Sequence, residues 1–467
     1  MSGFDKYHLS DQAKIVTDFV PGLESRKLLA EQEKLESNNR SYPRGIPLAF
    51  DLAKGSILQD VDGNQFIDFT SNCGVFNLGH NNEDILSGLK IMDGKISQAV
   101  DFPTPTKISF LKSLLEALPE SLKGKCKVNF GGPSGSDAVE AAIKLARINK
   151  KRHSIIAFQG GYHGMTMGAL SVTSKLSHRK DAPPLIPGVH FLPYCSSYRC
   201  PFTQGNLGCQ KECLKYFKHV LENPHSGVDK PAAIIIEPIQ GEGGTYIPPK
   251  GWLEEITKIA HDNDILVIFD EVQSGFYRTG KLFSFEHTEA VPDIITMSKG
   301  VGGMGFSLSL IIYKKELDIW EPGTHIGTFR GNQLAMAAGE IALRLVKDQN
   351  IEKHVEDLGG NMFERLKSIE CESLCIGEVR GRGLMFGIEY VKDKISKEPF
   401  PEMATEVKKK CYENGLIVEV GGYYNNVVRF LPPLITTEII AKNGLNIFER
   451  ANNLAEQKIT KLGKAIG

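Results

Sequence analysis

The stretch ILVIFDEVQSGFYRTG, residues 265–280, and the stretch PDIITMSKG, residues 292–300, decide the fold of this chain. Each begins with an apolar run of strand length and ends that run with a polar residue, Asp270 in the first and Lys299 in the second. Fully apolar runs are typical of strands buried on both faces of a parallel sheet. Because open α/β sheets bind ligands at the carboxyl ends of their strands, the two stretches predict a ligand site that contains Asp270 and Lys299.

Each of these side chains has an ordinary explanation when it is taken alone. A strand-end aspartate often caps a helix, and a lysine before a turn is often a surface residue. Together they form the pair that pyridoxal phosphate (PLP) requires, because the amine makes the Schiff base and the carboxylate keeps the pyridine nitrogen protonated. The sequence therefore predicts PLP as cofactor, with Lys299 as the group that also moves protons.

The chain around these stretches predicts an α/β fold. From about Asn77 to Val346, strand-like and helix-like segments alternate, which indicates a mostly parallel sheet with helices on both faces. Residues 180–231 fit this alternation poorly, and we interpret them as an insertion loop with one helix near Gln210–Glu222. The predicted strands are Lys127–Phe130, Ser154–Phe158, Ala232–Glu237, Leu266–Asp270, Asp293–Met297 and Leu308–Tyr313.

The two ends of the chain have a different pattern. The N-terminal part begins with a polar helical arm and continues into a hairpin with its turn at Asp62-Gly63, and the C-terminal part mixes charged helices with short strands. We therefore predict a large cofactor-binding domain at residues 77–346. Residues 1–76 form an arm and part of a small domain, and residues 347–467 form the rest of that small α+β domain.

Composition argues against several kinds of partner. The chain has 467 residues, of which 41% are hydrophobic and 24% charged, as in ordinary globular proteins. Its 55 lysine and arginine residues balance 56 aspartate and glutamate residues, so neither a nucleic acid nor a membrane surface is predicted as a partner. The N-terminus lacks an apolar signal core, and the cytoplasm is the expected location.

The nine cysteines are an odd number in a long chain, which argues against a secreted disulfide framework. Four of them lie in one short segment, but without the C-x-x-C pair of common zinc sites. We expect reduced thiols and no metal here, with zinc as the less favoured alternative. This four-cysteine cluster comprises Cys195, Cys200, Cys209 and Cys213.

A glycine-rich turn follows the predicted strand at residues 127–130. It places Gly135 and Ser136 at the start of an apolar-faced helix, where Ser134 and Asp137 match a capping box. Free backbone N–H groups at a helix N-terminus bind phosphate well. Glycine turns are common at ordinary strand–helix junctions, so this motif alone is weak evidence for a phosphate site. The functional residues at the other strand ends support that interpretation.

Two more strand ends carry suitable residues. Tyr162 and His163 stand among glycines after the strand at residues 154–158, where an aromatic ring could stack on a flat cofactor. Glu242 lies in a glycine-rich loop after the strand at residues 232–237. Packing and solvation are the ordinary explanations for such residues, but their coincidence at one sheet edge favours a site.

Taken together, these motifs resemble the class III aminotransferases, which have PLP fold type I, over nearly the whole chain. Within that class the chain is most similar to diaminobutyrate–2-oxoglutarate transaminases. The resemblance implies a large domain with a mostly parallel seven-stranded sheet and a smaller α+β domain built from both termini. The matching stretches include KGSILQDVDGNQFIDF (54–69), GPSGSDAVEAAIKLA (132–146), GGYHGMT (160–166), EPIQGEGG (237–244), FDEVQSGFYRTG (269–280), GTFRGNQ (327–333) and VVRFLPPL (427–434).

The resemblance also implies individual roles. Lys299 corresponds to the Schiff-base lysine and Asp270 to the partner of the pyridine nitrogen. Thr328 corresponds to a residue that binds the phosphate in the neighbouring subunit, which implies a homodimer that could pair further into a dimer of dimers. The remaining positions expected to contact PLP are Gly135, Ser136, Tyr162, His163, Val272 and Gln273.

Substrate roles follow from the same resemblance. Arg429 would bind the α-carboxylate of glutamate or 2-oxoglutarate, and Glu242 would pair with Arg429 when the amine donor lacks that group. Met165 stands where many class III members that bind 4-aminobutyrate have arginine. Methionine cannot make a bidentate contact to a carboxylate, so 4-aminobutyrate is a less favoured donor and carboxylate recognition must lie elsewhere. The resemblance favours a diamino acid, L-2,4-diaminobutyrate, as the donor. Arg44 and Arg330 are weaker candidates for carboxylate binding.

Three alternatives remain open at this stage. The chain could be a PLP-dependent amino-acid racemase or epimerase, an aminotransferase for another ω-amino donor, or a binding protein without catalysis. The intact set of Lys299, Asp270 and Gln273 argues against a binding protein, and the pair of Glu242 and Arg429 favours transamination over racemisation. The donor, the pathway and the physiological direction are not fixed by the sequence.

Overall fold

The computed structural model describes residues 3–202 and 208–466, with side chains up to residue 459. The contacts divide the chain into two compact units, Met1–Leu86 with Lys353–Gly467, and Ser87–Glu352. The division into independently folding domains at residues 76 and 346 remains a prediction. Within the described ranges, no helix has both the length and the apolar character needed to cross a bilayer.

Strands and helices alternate along much of the chain. The strands are β1 (Phe50–Lys54), β2 (Ile57–Asp60), β3 (Gln65–Asp68), β4 (Cys126–Phe130), β5 (Ile155–Phe158), β6 (Val189–Leu192), β7 (Ala233–Ile236), β8 (Leu266–Asp270), β9 (Ile294–Met297), β10 (Leu310–Lys314), β11 (Ile376–Arg382), β12 (Met385–Tyr390), β13 (Leu416–Ile417), β14 (Glu419–Gly421) and β15 (Val427–Phe430). The helices are α1 (Leu23–Leu35), α2 (Tyr42–Gly45), α3 (Ser71–Gly74), α4 (Glu83–Gly88), α5 (Pro105–Glu116), α6 (Gly135–Lys150), α7 (Met167–Val172), α8 (Leu176–Arg179), α9 (Cys209–Glu222), α10 (Trp252–Asp262), α11 (Gln333–Asp348), α12 (Ile351–Glu372), α13 (Pro401–Glu413) and α14 (Glu438–Ile466).

The unit Ser87–Glu352 is built on a seven-stranded sheet in the order β4-β10-β9-β8-β7-β5-β6. Neighbours from β9 to β6 pair in parallel. Strand β10 runs antiparallel to both β9 and β4, so the other six strands share one direction. The predicted mostly parallel α/β sheet is confirmed.

The core of this unit explains why these segments form strands and helices. Every residue of β5, β7, β8 and β9 is buried, as the apolar runs predicted. Helix α6 lays its alanine-rich face on these strands, and that face is completely buried. The small side chains bring the helix close to the sheet, which fixes the turn at its N-terminus relative to the strand ends.

One part of the sheet was predicted wrongly. The segment 180–231 was interpreted as an insertion loop, yet it contains the edge strand β6, which pairs in parallel with β5 from Ile155↔Val189 to Phe158↔Leu192. Three of the four β6 residues are only half-buried. An edge strand covered on one side lacks the continuous apolar run that marked the central strands. The predicted helix of this segment is present as α9.

The other unit contains two smaller sheets, in the orders β1-β2-β3-β13 and β11-β12-β15-β14. Strands β2 and β3 form the predicted hairpin, and Asp60 Oδ1 stabilises its turn by accepting hydrogen bonds from the backbone N–H groups of Asp62 and Asn64. Helices α13 and α14 pack against each other. This unit therefore has the α+β character that was predicted for the small domain.

Candidate active site

The carboxyl ends of several parallel strands meet around one cavity of about 220 Å³. Because β9, β8, β7 and β5 are consecutive neighbours in the sheet, the residues that follow them lie side by side. The turn after β4 reaches the same edge. The cavity is lined by Ser134, Gly135, Ser136, Tyr162, His163, Gly164, Glu237, Glu242, Asp270, Val272, Gln273 and Lys299.

Asp270 is the last residue of β8, and its carboxylate is buried. Oδ1 accepts a hydrogen bond from Thr296 Oγ1 at 2.8 Å and one from the backbone N–H of Val272 at 3.1 Å. Oδ2 accepts one from His163 Nδ1 at 2.7 Å. An ionised carboxylate has about four acceptor positions, so Asp270 retains capacity for one further donor in the cavity.

His163 supports the negative charge of Asp270. Its ring is buried and its Nδ1–H donates to the carboxylate. Burial alone lowers the pKa of His163, but the hydrogen bond and charge of Asp270, together with the charge of Glu237, raise the pKa overall. The His163 ring therefore donates to the Asp270 carboxylate and orients it for a donor such as a pyridine N–H.

Glu237 follows β7 and holds two loops by their backbones. Its Oε1 accepts from the N–H of Tyr162 at 2.9 Å, and its Oε2 accepts from the N–H of Gly241 at 2.8 Å. Burial raises the pKa of Glu237 to about 7, with the charge of Asp270 adding to the effect and the hydrogen bonds opposing it. Glu237 therefore fixes the backbone position of Tyr162 through this hydrogen bond.

Lys299 follows β9 and opens a single 3-10 turn, Lys299–Gly302. Its φ angle of 51° lies in the left-handed region, which a residue with a Cβ atom adopts at a cost of about 1–3 kcal/mol. Such strain is characteristic of functional sites that the surrounding structure holds in place. Here Ser298 Oγ, which donates to Leu308 O at 2.9 Å, fixes the residue immediately before the lysine.

The glycine turn before α6 forms a close-packed cradle. A Cβ atom on Gly135 would lie 2.9 Å from Val272 Cγ1, and one on Gly164 would lie 2.1 Å from Ser136 Oγ. The predicted capping box of Ser134 and Asp137 is present. Ser136 Oγ accepts from the N–H of Met165 at 3.2 Å and can still donate its own proton.

Tyr162 and Glu242 lie on the loops that border the cavity. The Tyr162 ring packs edge-on against His178, with 6.0 Å between ring centroids, so a second aromatic ring orients it.

Gln273 is buried, and a Cβ atom on Gly241 would lie 2.0 Å from its Oε1. The loop after β7 thus passes tightly against the turn after β8.

Four predicted residues do not line this cavity. Thr328 is exposed, in the 3-10 turn Thr328–Gly331. Arg330 is buried and bound to Asp101, with Nε to Oδ1 at 2.8 Å and Nη2 to Oδ2 at 2.7 Å, so its guanidinium already holds a carboxylate. Arg429 is buried in β15, and Arg44 lies in α2, both in the unit Met1–Leu86 with Lys353–Gly467.

Sequence reasoning assigned no role to Thr296 or Glu237, which hold the site together. A signal was present for both. Thr296 is a polar residue inside an otherwise apolar strand and pairs in register with Asp270. Glu237 ends the run of isoleucines in β7 immediately before a proline, the same strand-end position that singled out Asp270.

Comparison with known proteins identifies the family. Residues 39–451 match the family described as Aminotransferase class-III. The chain belongs to the class III aminotransferases. It is 44% identical over 415 residues to a diaminobutyrate–2-oxoglutarate aminotransferase of Haemophilus influenzae, covering 87% of this chain and 90% of that protein. It is 40% identical over 418 residues to a protein of the same name from Rhizobium meliloti, covering 88% and 89%.

Solved structures support the same family. A Bacillus anthracis aminotransferase superposes with a TM-score of 0.84 at 28% identity, covering 92% of this chain and 98% of that one. The ornithine aminotransferase from Toxoplasma gondii superposes with a TM-score of 0.79 at 25% identity, covering 94% and 97%. As a class III aminotransferase, the chain is an enzyme that transfers amino groups.

The residues of the cavity fit the cofactor predicted for a class III aminotransferase. Ser136 and the N-terminus of α6 supply phosphate donors, and Asp270 has acceptor capacity for a ring N–H. Lys299 lines the same cavity, and in the described part of the chain its Nζ makes no hydrogen bond or ion pair. An amine, a carboxylate and a phosphate cradle thus face one small volume.

Proposed function

We propose that this chain is a PLP-dependent transaminase that moves the terminal amino group of L-2,4-diaminobutyrate to 2-oxoglutarate, or runs the reverse reaction with glutamate as donor. The observation that carries the proposal is the single cavity shared by Lys299, Asp270 and Ser136. A strand-end amine, a buried carboxylate and a helix N-terminus are each common, but their convergence matches one cofactor.

Bound PLP supplies an electron sink for the electrons left when a substrate C–H bond breaks. Asp270 would hold the ring nitrogen protonated, and hydrogen bonds from His163 and Thr296 orient its carboxylate for that role. Lys299 would hold the cofactor through its amine in the resting enzyme. Once the substrate amine has replaced it there, the freed Lys299 amine would remove the proton from the amine-bearing carbon of the substrate. Tyr162, after β5, and Val272, after β8, both line the cavity, and we propose that they pack on the two faces of the ring.

The choice of donor rests on one observation. Relatives with up to 44% identity carry the name diaminobutyrate–2-oxoglutarate aminotransferase. Met165, exposed beside Ser136, offers no charge to a distal carboxylate. L-2,4-diaminobutyrate and 4-aminobutyrate carry this carboxylate at the same distance from the reacting amine, so Met165 does not separate the two donors. We further propose that Arg429 binds the α-carboxylate of 2-oxoglutarate and that Glu242 pairs with Arg429 when the diamino acid is bound.

The test is a donor screen with purified enzyme, PLP and 2-oxoglutarate, in which glutamate formation is measured. L-2,4-diaminobutyrate should give the highest kcat/KM, ahead of ornithine and 4-aminobutyrate. Lys299→Ala should abolish turnover, whereas Lys315→Ala, at an exposed lysine after β10, should not. Inversion of an amino acid without any keto acid would instead establish a racemase, and ornithine or 4-aminobutyrate as the best donor would refute the choice of diaminobutyrate.

We also propose that the enzyme is a homodimer in which Thr328 binds the cofactor phosphate of the partner subunit. Thr328 is exposed and lies outside the cavity of its own chain. Its neighbours Ile326 and Phe329 are 70% and 66% exposed, and Phe102 is 74% exposed. The segment that carries Phe102 is joined to the 3-10 turn by the Ala99 N–H bond to Gly331 O at 3.1 Å. Exposed apolar side chains on two joined segments favour burial against a second copy.

A complementation experiment tests this arrangement. Lys299→Ala and Thr328→Ala chains are unfolded together and refolded as a mixture. In a mixed dimer, one site receives its lysine from the Thr328→Ala chain and its threonine from the other chain, so activity should rise above that of either variant alone. Mixtures that show no gain, although mixed dimers are present by native mass spectrometry, would refute the shared site.

A further inference from the structure

The four-cysteine cluster lies outside the active site and is brought together by the fold. Cys195 follows β6, whereas Cys209 and Cys213 occupy the first two turns of α9. The sulfur atoms of these three residues all lie within 4.8 Å of one another, and those of Cys195 and Cys209 are 3.5 Å apart. All three side chains are buried. Cys200 is not within 4.8 Å of all three of these sulfur atoms, but its thiol interacts with those of Cys209 and Cys213, which makes it the candidate for a fourth ligand.

The spacing of the sulfur atoms suits one metal ion. A tetrahedral zinc site with Zn–S bonds of about 2.3 Å requires sulfur atoms roughly 3.8 Å apart. The Cys195–Cys209 separation of 3.5 Å is close to this value, and no two of the three buried sulfurs are more than 4.8 Å apart. One disulfide would use two of these sulfurs and leave the third buried beside it. A single ion can bind all three at once and leaves its fourth position for Cys200.

The surroundings favour thiolate ligands and a closed site. Cys209 is the first residue of α9, a helix of 14 residues, so the positive end of the helix dipole lies at the cluster. Three buried ligands and the half-buried Cys200 supply four protein sulfurs. Structural zinc sites have four protein ligands, whereas catalytic sites keep one position for water or substrate.

We propose that the four-cysteine cluster is a structural zinc site. It would fasten residues 193–202, which follow β6, and the start of α9 to the sheet edge. Tyr194, next to Cys195, donates to Glu237 O at 3.2 Å and to Pro238 O at 3.0 Å, and its ring packs on Trp252 with 5.1 Å between centroids. The ion would therefore steady the segment that supports the backbone of Glu237, and through Glu237 the loop of Tyr162.

The test measures metal in the full-length holoenzyme. The protein is produced without a polyhistidine tag in zinc-containing medium, purified with a phosphine reductant and analysed by mass spectrometry for metals. We expect about one zinc ion per chain. Cys200→Ser and Cys213→Ser should each lower the zinc content roughly tenfold or more. Cys126→Ser, which removes a buried thiol on β4 outside the cluster, should leave the zinc content unchanged.

A second measurement uses the wild-type chain alone, in case the serine variants fail to fold. The zinc is removed with a chelator and the reduced protein is titrated with Co²⁺, which should give the sulfur-to-metal charge-transfer and visible bands of a tetrahedral thiolate complex. A reduced chain that binds neither Zn²⁺ nor Co²⁺ would overturn the proposal. So would disulfides among these cysteines in the isolated protein, iron in place of zinc, or a metal content that Cys213→Ser does not change.

Discussion

Replacing Gly135 with alanine should weaken PLP binding through one neighbouring side chain. The new Cβ atom would lie 2.9 Å from Val272 Cγ1 and 3.2 Å from Cγ2, whereas carbon atoms in contact are normally about 3.5–4.0 Å apart. Valine is stiff at χ1, so it cannot easily turn both methyl groups away and must shift toward the cavity. Overpacking of this kind costs about 1–3 kcal/mol. If the bound state carries that cost, the Kd for PLP rises roughly 5- to 150-fold.

The assay is a titration of the apoenzyme with PLP, followed by absorbance. The double variant Gly135→Ala with Val272→Ala removes the clashing methyl groups, so the two substitutions should show a favourable coupling of about 1–3 kcal/mol in a double-mutant cycle. Gly360→Ala is the control, because a Cβ atom there meets nothing within 4 Å. The reasoning would be refuted if the Gly135→Ala enzyme bound PLP with wild-type affinity, or if the double-mutant cycle showed no coupling. Either result would show that Val272 does not transmit the steric effect of residue 135 to the cofactor.

Two further predictions concern the groups behind the cavity. Burial raises the pKa of Glu237 from 4.5 to about 7, so the folded state binds this proton more tightly than the unfolded state. The contribution of Glu237 to stability therefore falls as pH rises from 4.5 to 7. We expect the difference between the unfolding free energy of the wild-type protein and that of the Glu237→Gln variant to decline by up to about 1.4 kcal/mol per pH unit over this range. A difference that is flat with pH in denaturant titrations would contradict this sign. Thr296→Val should lose about 1.5–3 kcal/mol, because the Asp270 carboxylate loses a buried donor, whereas Thr296→Ser keeps the hydrogen bond and should lose less. Equal losses for the valine and serine variants in urea unfolding would exclude that bond as the cause.

Local patterns were sufficient to predict the strands that deliver Asp270 and Lys299. Strand β8 has the bounds that its apolar run predicted, Leu266–Asp270, and β9 differs by one residue. Both are buried on two faces, so their sequences carry the full signal of a central parallel strand. The cap of α6 was predictable for a similar reason, because Ser134 and Asp137 bond to each other across three residues.

Features that depend on pairing between distant segments were not predictable in this way. Strand β6 is stabilised by pairing with β5, which lies more than 30 residues earlier in the chain. Its own sequence contains a histidine, and three of its four residues are only half-buried. The role of Thr296 follows from its register with Asp270, and register is a property of the pair of strands. The inward turn of Glu237 depends on the loops that bring Tyr162 and Gly241 to it.

The left-handed backbone of Lys299 means that the residue required for activity also lowers the stability of the folded protein. Glycine adopts a φ of 51° without penalty, whereas alanine keeps the penalty that lysine has. At this position the usual order is therefore reversed, and Lys299→Gly should be the more stable of the two inactive enzymes. Directed evolution that rewards only heat resistance would thus tend to discard the lysine on which turnover depends. Any thermostabilised library of this enzyme needs a selection for amino transfer alongside the selection for folding.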